Sequence, residues 1–108
     1  MTADATVRRY YDALDAGEYD VLESILAPGF VQRRPDRTFE ERDAFVRFMR
    51  EDRPQSDTRH EVDEIVADDR RVAVRGRLLE DDGTHLLEFA DVFELVDGRI
   101  VRLETYTR

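Results

Sequence analysis

The sequence predicts one α+β domain in which three helices come first and a curved antiparallel sheet follows. Three observations carry this reading. Apolar residues recur at helical spacing through the first half of the chain, they switch to a period of two from about residue 59, and the late strands are joined by short Asp- and Gly-containing turns. Without crossover helices between those strands a doubly wound parallel sheet is excluded, so the helices must cover one face of the sheet. With 108 residues the chain has room for one core, and 1–108 reads as a single domain.

Residues 3–16 predict the first helix: Val7, Tyr10, Tyr11 and Leu14 share one face, Arg8, Arg9, Asp12 and Asp15 lie elsewhere, and Gly17 ends it. A second helix starts from Asp20 as N-cap, carries Val21, Leu22, Ile25 and Leu26, and stops at Pro28-Gly29. A short strand from Phe30 to Arg34 is cut off by Pro35. A third helix is expected over Phe39 to Arg53, with Thr38 and Glu41 as a capping box, Ala44, Phe45, Phe48 and Met49 on one side, and Pro54 closing it. Strands then follow at Arg59 to Ala67, Arg71 to Glu80, His85 to Val96 and Arg99 to Thr107. The turns between them are Asp68-Asp69, Asp81-Asp82-Gly83 and Asp97-Gly98.

Charge narrows the partners. Acidic residues number 26 against 17 basic ones, a net charge of -9, and every basic residue is arginine. An acidic, lysine-free surface reads as adaptation to high salt, where screening removes self-repulsion; a GC-rich genome produces the same preference for arginine. The acidity argues against a nucleic-acid partner, which requires phosphate neutralisation. The absence of cysteine excludes disulfides, a thiol nucleophile and thiolate metal sites. The first residues lack a signal-peptide pattern and no apolar run reaches spanning length, so no membrane partner and a cytoplasmic location are expected.

Asp91 heads the candidate site residues. By strand alternation it shares a face with Leu87, Phe89, Phe93 and Leu95, while Glu88, Val92 and Glu94 face the other way. A carboxylate among apolar side chains must be paired, hydrogen-bonded or protonated, and such groups cluster at functional sites. An ordering bond to a core tyrosine or arginine is the structural alternative. Arg34 either points inward, to clamp an anion or pair with Asp91, or projects into solvent beside Arg33 and Arg37. His60 is expected near a cavity mouth, His85 in solvent, and Tyr106 either in the cavity or against a second copy of the chain. Neither histidine has acidic neighbours at metal-ligand spacing, so no metal and no cofactor are expected.

The order of elements, the entry from Tyr10-Tyr11-Asp12-Ala13-Leu14-Asp15-Ala16-Gly17 into Glu18-Tyr19-Asp20, and the segments Leu26-Ala27-Pro28-Gly29-Phe30 and Asp91 to Ile100 resemble the SnoaL-like branch of the nuclear transport factor two-like superfamily. The resemblance implies a cone-shaped α+β barrel: the three N-terminal helices pack on a strongly curved antiparallel sheet around a cavity, and dimers form through the outer sheet face. It implies that Asp91 stands where steroid isomerases of that superfamily place their oxyanion-stabilising acid, and Tyr10 where they place the oxyanion tyrosine. The position of their proton-abstracting carboxylate is held by Arg34, which cannot act as that base.

Two functional readings follow. In one the chain is a cofactor-independent acid/base enzyme of isomerase, cyclase or dehydratase type on a compact apolar ligand. Asp91 and Tyr10 would be catalytic, and Arg34, His60, Phe89, Phe93 and Tyr106 would bind substrate. In the other it is a non-catalytic ligand-binding or dimerisation domain with a structural Asp91, its cavity filled by phenylalanines.

Overall fold

The computed structural model describes residues 2–53 and 57–108. In chain order its elements are α1 (Ala3–Ala16), α2 (Tyr19–Ile25), β1 (Leu26–Arg33), β2 (Thr38–Phe39) and α3 (Arg42–Arg47), which runs into a π-helical turn over Phe48–Asp52. The strands β3 (Thr58–Ala67), β4 (Arg71–Glu80), β5 (His85–Val96) and β6 (Arg99–Thr107) complete the chain.

Helix α1 has the expected bounds. The Thr2 hydroxyl accepts from the Ala5 N–H at its start, and Gly17 ends it at φ 70°, a left-handed conformation that costs little only without a β-carbon. Helix α2 begins two residues earlier than an Asp20 N-cap implies: Glu18 holds the N-cap position and Asp20 lies in the first turn, where a negative charge meets the helix dipole favourably. The third helix is shorter than its apolar pattern suggests. Thr38 pairs with Arg33 as part of β2, so it cannot cap, and Glu41 takes the N-cap position without a side-chain bond. Pro54, read as the helix stop, lies outside the described residues.

The sheet order is β2-β1-β6-β5-β4-β3, and the sheet is open rather than a closed barrel. The meander β3 to β6 is antiparallel as expected, but β1 runs parallel to β6, so the sheet is mixed. Periodicity identifies strands but not their partners, which is why this pairing was hidden. Strand β1 is also longer than expected, because Pro28 and Gly29 sit in a gap in its ladder with β6 between Leu26 and Val31. Proline donates no backbone hydrogen bond, so it is tolerated at that interruption.

Curvature comes from irregularities in three strand pairs. The registers shift between Val62 and Glu64 in β3, between Leu78 and Leu79 in β4, and between Glu94 and Leu95 in β5. Each such bulge adds bend and twist. Opposite the first, Gly76 lets the backbone of β3 come close: a β-carbon there would lie 2.9 Å from the Phe89 ring and nearer still to the Glu61 carbonyl oxygen.

The concave face packs on α1. Phe30, Phe45, Phe93, Leu22, Leu26, Ile100, Leu103, Val7 and Val72 are fully buried, each apolar side chain of the larger kind contributing about 1.5–3 kcal/mol on leaving water. Tyr10 meets Phe93 edge-on at 5.2 Å, and Phe30 meets Phe45 at 5.1 Å. This aromatic layer closes one end of the space between α1 and the sheet, leaving a cavity at the other.

Candidate functional site

Alternation along β5 turns Phe89, Asp91, Phe93 and Leu95 inward, as the sequence predicts. Asp91 is 5% exposed and both of its oxygens accept hydrogen bonds. The Tyr11 hydroxyl donates to Oδ2 at 2.6 Å and the Thr105 hydroxyl to Oδ1 at 2.7 Å. Burial pushes the Asp91 carboxyl above the usual aspartate range; the two hydroxyl donors and the positive charges of protonated His60 and of Arg34 pull it back only in part.

Asp91 lines a cavity of about 310 Å³ between α1, the inner sheet face and the π-helical turn. Leu78, Leu87, Phe89 and Met49 supply apolar wall, and Tyr10, Gln32, Arg34, Arg53, His60 and Thr105 supply polar wall. The volume falls at the small end of the range of roughly 300–1,000 Å³ seen for small-molecule sites.

Tyr10 and Asp91 are thus brought into one cavity, but the residue bonded to Asp91 is Tyr11. Adjacent residues on a helix differ by about 100° in direction, so one α1 face can bury both rings while aiming them differently. Among the described residues the Tyr10 hydroxyl has no hydrogen-bond partner. Burial, and then the charge of Asp91, raise its pKa well above the ordinary tyrosine value, so it stays a protonated donor facing the cavity. The same two causes raise Tyr11.

His60 lies in the cavity wall with its ring 5.1 Å from that of Tyr11 and 5.4 Å from that of Phe89. Asp15 holds it twice: Oδ1 is 2.6 Å from Nδ1, and Oδ2 accepts the His60 backbone N–H at 2.9 Å. A carboxylate at Nδ1 places the proton there and leaves Nε2 of the neutral ring as an acceptor.

Arg34 lines the cavity mouth rather than pairing with Asp91. Its Nε donates to Asp36 Oδ1 at 2.8 Å, and its guanidinium stands 5.9 Å from the Phe48 ring. Arg53 donates to the Leu14 carbonyl and to the Tyr19 hydroxyl, pinning the π-helical turn to α1 and α2.

Two expected binding residues are placed elsewhere. Phe93 is fully buried against Tyr10 and Tyr11 and forms core beneath the cavity rather than its lining. Tyr106 pairs with Ala90 on the outer face, 56% exposed, and its hydroxyl donates to Glu104; the inward positions of β6 there belong to Thr105 and Thr107. The sequence reading missed Tyr11 as the Asp91 partner, together with Asp15, Gln32, Arg53 and Thr105. Only Thr105 had a readable signal, its place near the position across from Asp91 in the last hairpin.

Among the described residues, no cluster of three or more His, Asp or Glu side chains could hold a metal ion, and no helix is long and apolar enough to cross a membrane.

A mixed sheet curved over a helix, with a carboxylate in the cavity between them, defines a small α+β cavity domain of the nuclear transport factor two-like (NTF2-like) class. The chain belongs to the SnoaL-like domain family, whose model matches residues 7–103. It is similar to an NTF2-like protein of unknown function from Cytophaga hutchinsonii, with a TM-score of 0.86 and 16% identity over 100% of this chain and 91% of that one. It is similar also to a candidate ketosteroid isomerase from Kribbella flavida, with a TM-score of 0.85 and 24% identity over 96% and 76% of the two chains. A candidate polyketide cyclase from Sinorhizobium meliloti matches with a TM-score of 0.80 and 24% identity over 94% and 93%. Identities this low establish the shared fold and not a shared reaction. No curated protein matches the sequence.

Proposed function

We propose that this chain binds a compact small molecule in its cavity and moves a proton on it without a cofactor, in a reaction of isomerase, cyclase or dehydratase type. Asp91 is the proton-transferring group, and the Tyr10 hydroxyl donates to the oxygen that gains negative charge. The observation that supports this most is the Asp91 carboxylate in the wall of a roughly 310 Å³ cavity, its pKa raised by burial toward the range where it can both take and return a proton. Its two protein bonds leave a second lone-pair position on each oxygen. Tyr10 lines the same cavity, has no hydrogen-bond partner among the described residues, and adds the electrophilic half.

One observation favours the non-catalytic reading: both Asp91 oxygens are already bonded to the protein, as in a side chain that orders a core. Turnover of a panel of cyclic ketones, enones and β-hydroxy carbonyl compounds by wild type and Asp91→Asn separates the two. Catalysis by Asp91 predicts a loss of about a hundred- to ten-thousandfold in the variant, and an unchanged rate would remove Asp91 from the chemistry.

The net charge of -9 is the ground on which we propose that no nucleic acid is a partner. We further propose a homodimer through the outer sheet face, where Val92, Val96, Leu86 and Tyr106 are exposed. Sedimentation of Val92→Glu as monomer, against a wild-type dimer, is the expected result.

A further inference from the structure

His60 is a cavity residue that the proton-transfer scheme leaves unused. It stands on β3 opposite Leu78, and Asp15 of α1 grips it at two points, the ring Nδ1 at 2.6 Å and the backbone N–H at 2.9 Å. The rings of Tyr11 and Phe89, 5.1 and 5.4 Å away between centroids, hold the imidazole further. Such a hold sets both tautomer and orientation: the proton of the neutral ring stays on Nδ1, and Nε2 keeps its lone pair.

Among the described residues Nε2 has no hydrogen-bond partner, and unlike Gln32 Oε1 it is not sealed away from a ligand. The His60 side chain is only 15% exposed and lines the cavity, so the surface that Nε2 keeps opens into that space. A positive charge on His60 lowers the Asp91 pKa, which agrees with the imidazole and the carboxyl facing the same enclosure. Next to His60 across the sheet come Leu78 and then Leu87, both in the cavity wall with Phe89. An apolar ring packed there strips solvent from Nε2, and the nitrogen is left desolvated and unpaired unless the ligand brings a donor.

We propose that His60 Nε2, aimed by Asp15, accepts a hydrogen bond from an O–H or N–H of the molecule this cavity takes, whose ring lies against Leu78, Leu87 and Phe89. The inference rests on the ligand-binding reading above and narrows it. The substrate class becomes hydroxylated or amine-bearing ring ketones rather than wholly apolar ones: the ketone oxygen meets the Tyr10 hydroxyl and the donor meets His60. A site that pairs a donor discriminates strongly against the analogue that lacks it.

The test compares 2-naphthol with its methyl ether, 2-methoxynaphthalene, titrated into 15N-labelled wild type and His60→Phe at a pH where the wild-type His60 signals are those of the neutral ring. Wild type is expected to bind the naphthol about tenfold more tightly than the ether, and only the naphthol should move the Nε2 signal upfield. His60→Phe keeps an aromatic ring beside Tyr11 and Phe89, and its spectrum reports whether it is folded; there the preference should fall to near unity. Should the variant not fold, the Nε2 signal of wild type decides alone. Equal binding of both probes by wild type, or naphthol binding with an unmoved Nε2 signal, overturns the inference and leaves the role of Asp91 untouched, since that role is read from turnover. A folded His60→Phe that keeps the full preference overturns the assignment to His60. Binding of neither probe by wild type overturns both this inference and the ligand-binding reading beneath it.

Discussion

The Tyr11 hydroxyl lies 2.6 Å from Asp91 Oδ2, tying the first helix to a strand 80 residues further along the chain. This bond orients the carboxylate that the cavity presents, and it opposes the effect of burial on its pKa. Stability and chemistry therefore meet at one contact.

Removing that donor has two expected consequences. Tyr11→Phe should lose about 1.5–3 kcal/mol in urea unfolding at neutral pH, the usual worth of a hydrogen bond to a charged group. It should also raise the Asp91 pKa further, moving the acid limb of the pH–rate profile upward, because the base is active only when ionised. Unfolding curves and rate profiles of the two proteins check both.

Asp91 itself should cost the fold stability. Its folded-state pKa is raised, so the native state holds its proton more tightly than the unfolded chain does. The associated stability is present below the ordinary aspartate pKa of about 3.9 and is lost as pH rises through the folded-state value. Asp91→Asn should then melt higher than wild type at neutral pH, and the difference should vanish on acidification. Melting temperatures across that range test the sign, and a variant less stable at neutral pH would reverse it.

The Asp15–His60 pair makes a separate prediction. Asp15→Ala strips the partner from both the His60 ring and its backbone N–H, at about 1–3 kcal/mol for the buried donor left behind. The neutral ring should at the same time leave the Nδ1–H tautomer. Nitrogen-15 shifts of His60 report the tautomer directly, and chemical denaturation reports the energy.

Salt adaptation is the proposal that the composition supports. With a net charge of -9 and ion pairs such as Arg75–Glu64 and Arg108–Glu88 at the surface, self-repulsion should dominate over surface pairing at low salt. Molar salt shortens the screening length to roughly 3 Å, so the melting temperature should rise steadily from low to molar salt. A flat curve would favour a GC-rich genome as the source of the arginines.

The parts of this structure legible in the sequence are those set by local pattern. Helix α1 has its bounds written in its apolar spacing and Gly17, and the β4, β5 and β6 limits follow from alternation and Asp-Gly turns. Asp91 is visible as an inward carboxylate for the same reason. Its partners are not. Counting back from the Asp97-Gly98 turn puts Glu104 across from Asp91; the register shift beyond Leu95 adds Val101 to β6 and brings Thr105 there instead. Choosing Tyr11 over Tyr10 needs a rotation of α1 finer than helical periodicity supplies. The parallel β1–β6 pairing, which delivers Gln32, is a long-range contact with no local signature. The third helix misled because Phe45, Phe48 and Met49 keep their spacing while the backbone changes to a π-helical turn beneath them.

Proton transfer by Asp91 is most directly measured as exchange of carbon-bound hydrogen for deuterium, which requires no knowledge of the full reaction. Cyclic hydroxy-ketones incubated in D2O with wild type should lose α-proton NMR signal faster than in buffer, and Asp91→Asn should return the rate to the buffer value. Exchange by a folded Asp91→Asn at the wild-type rate would contradict the account.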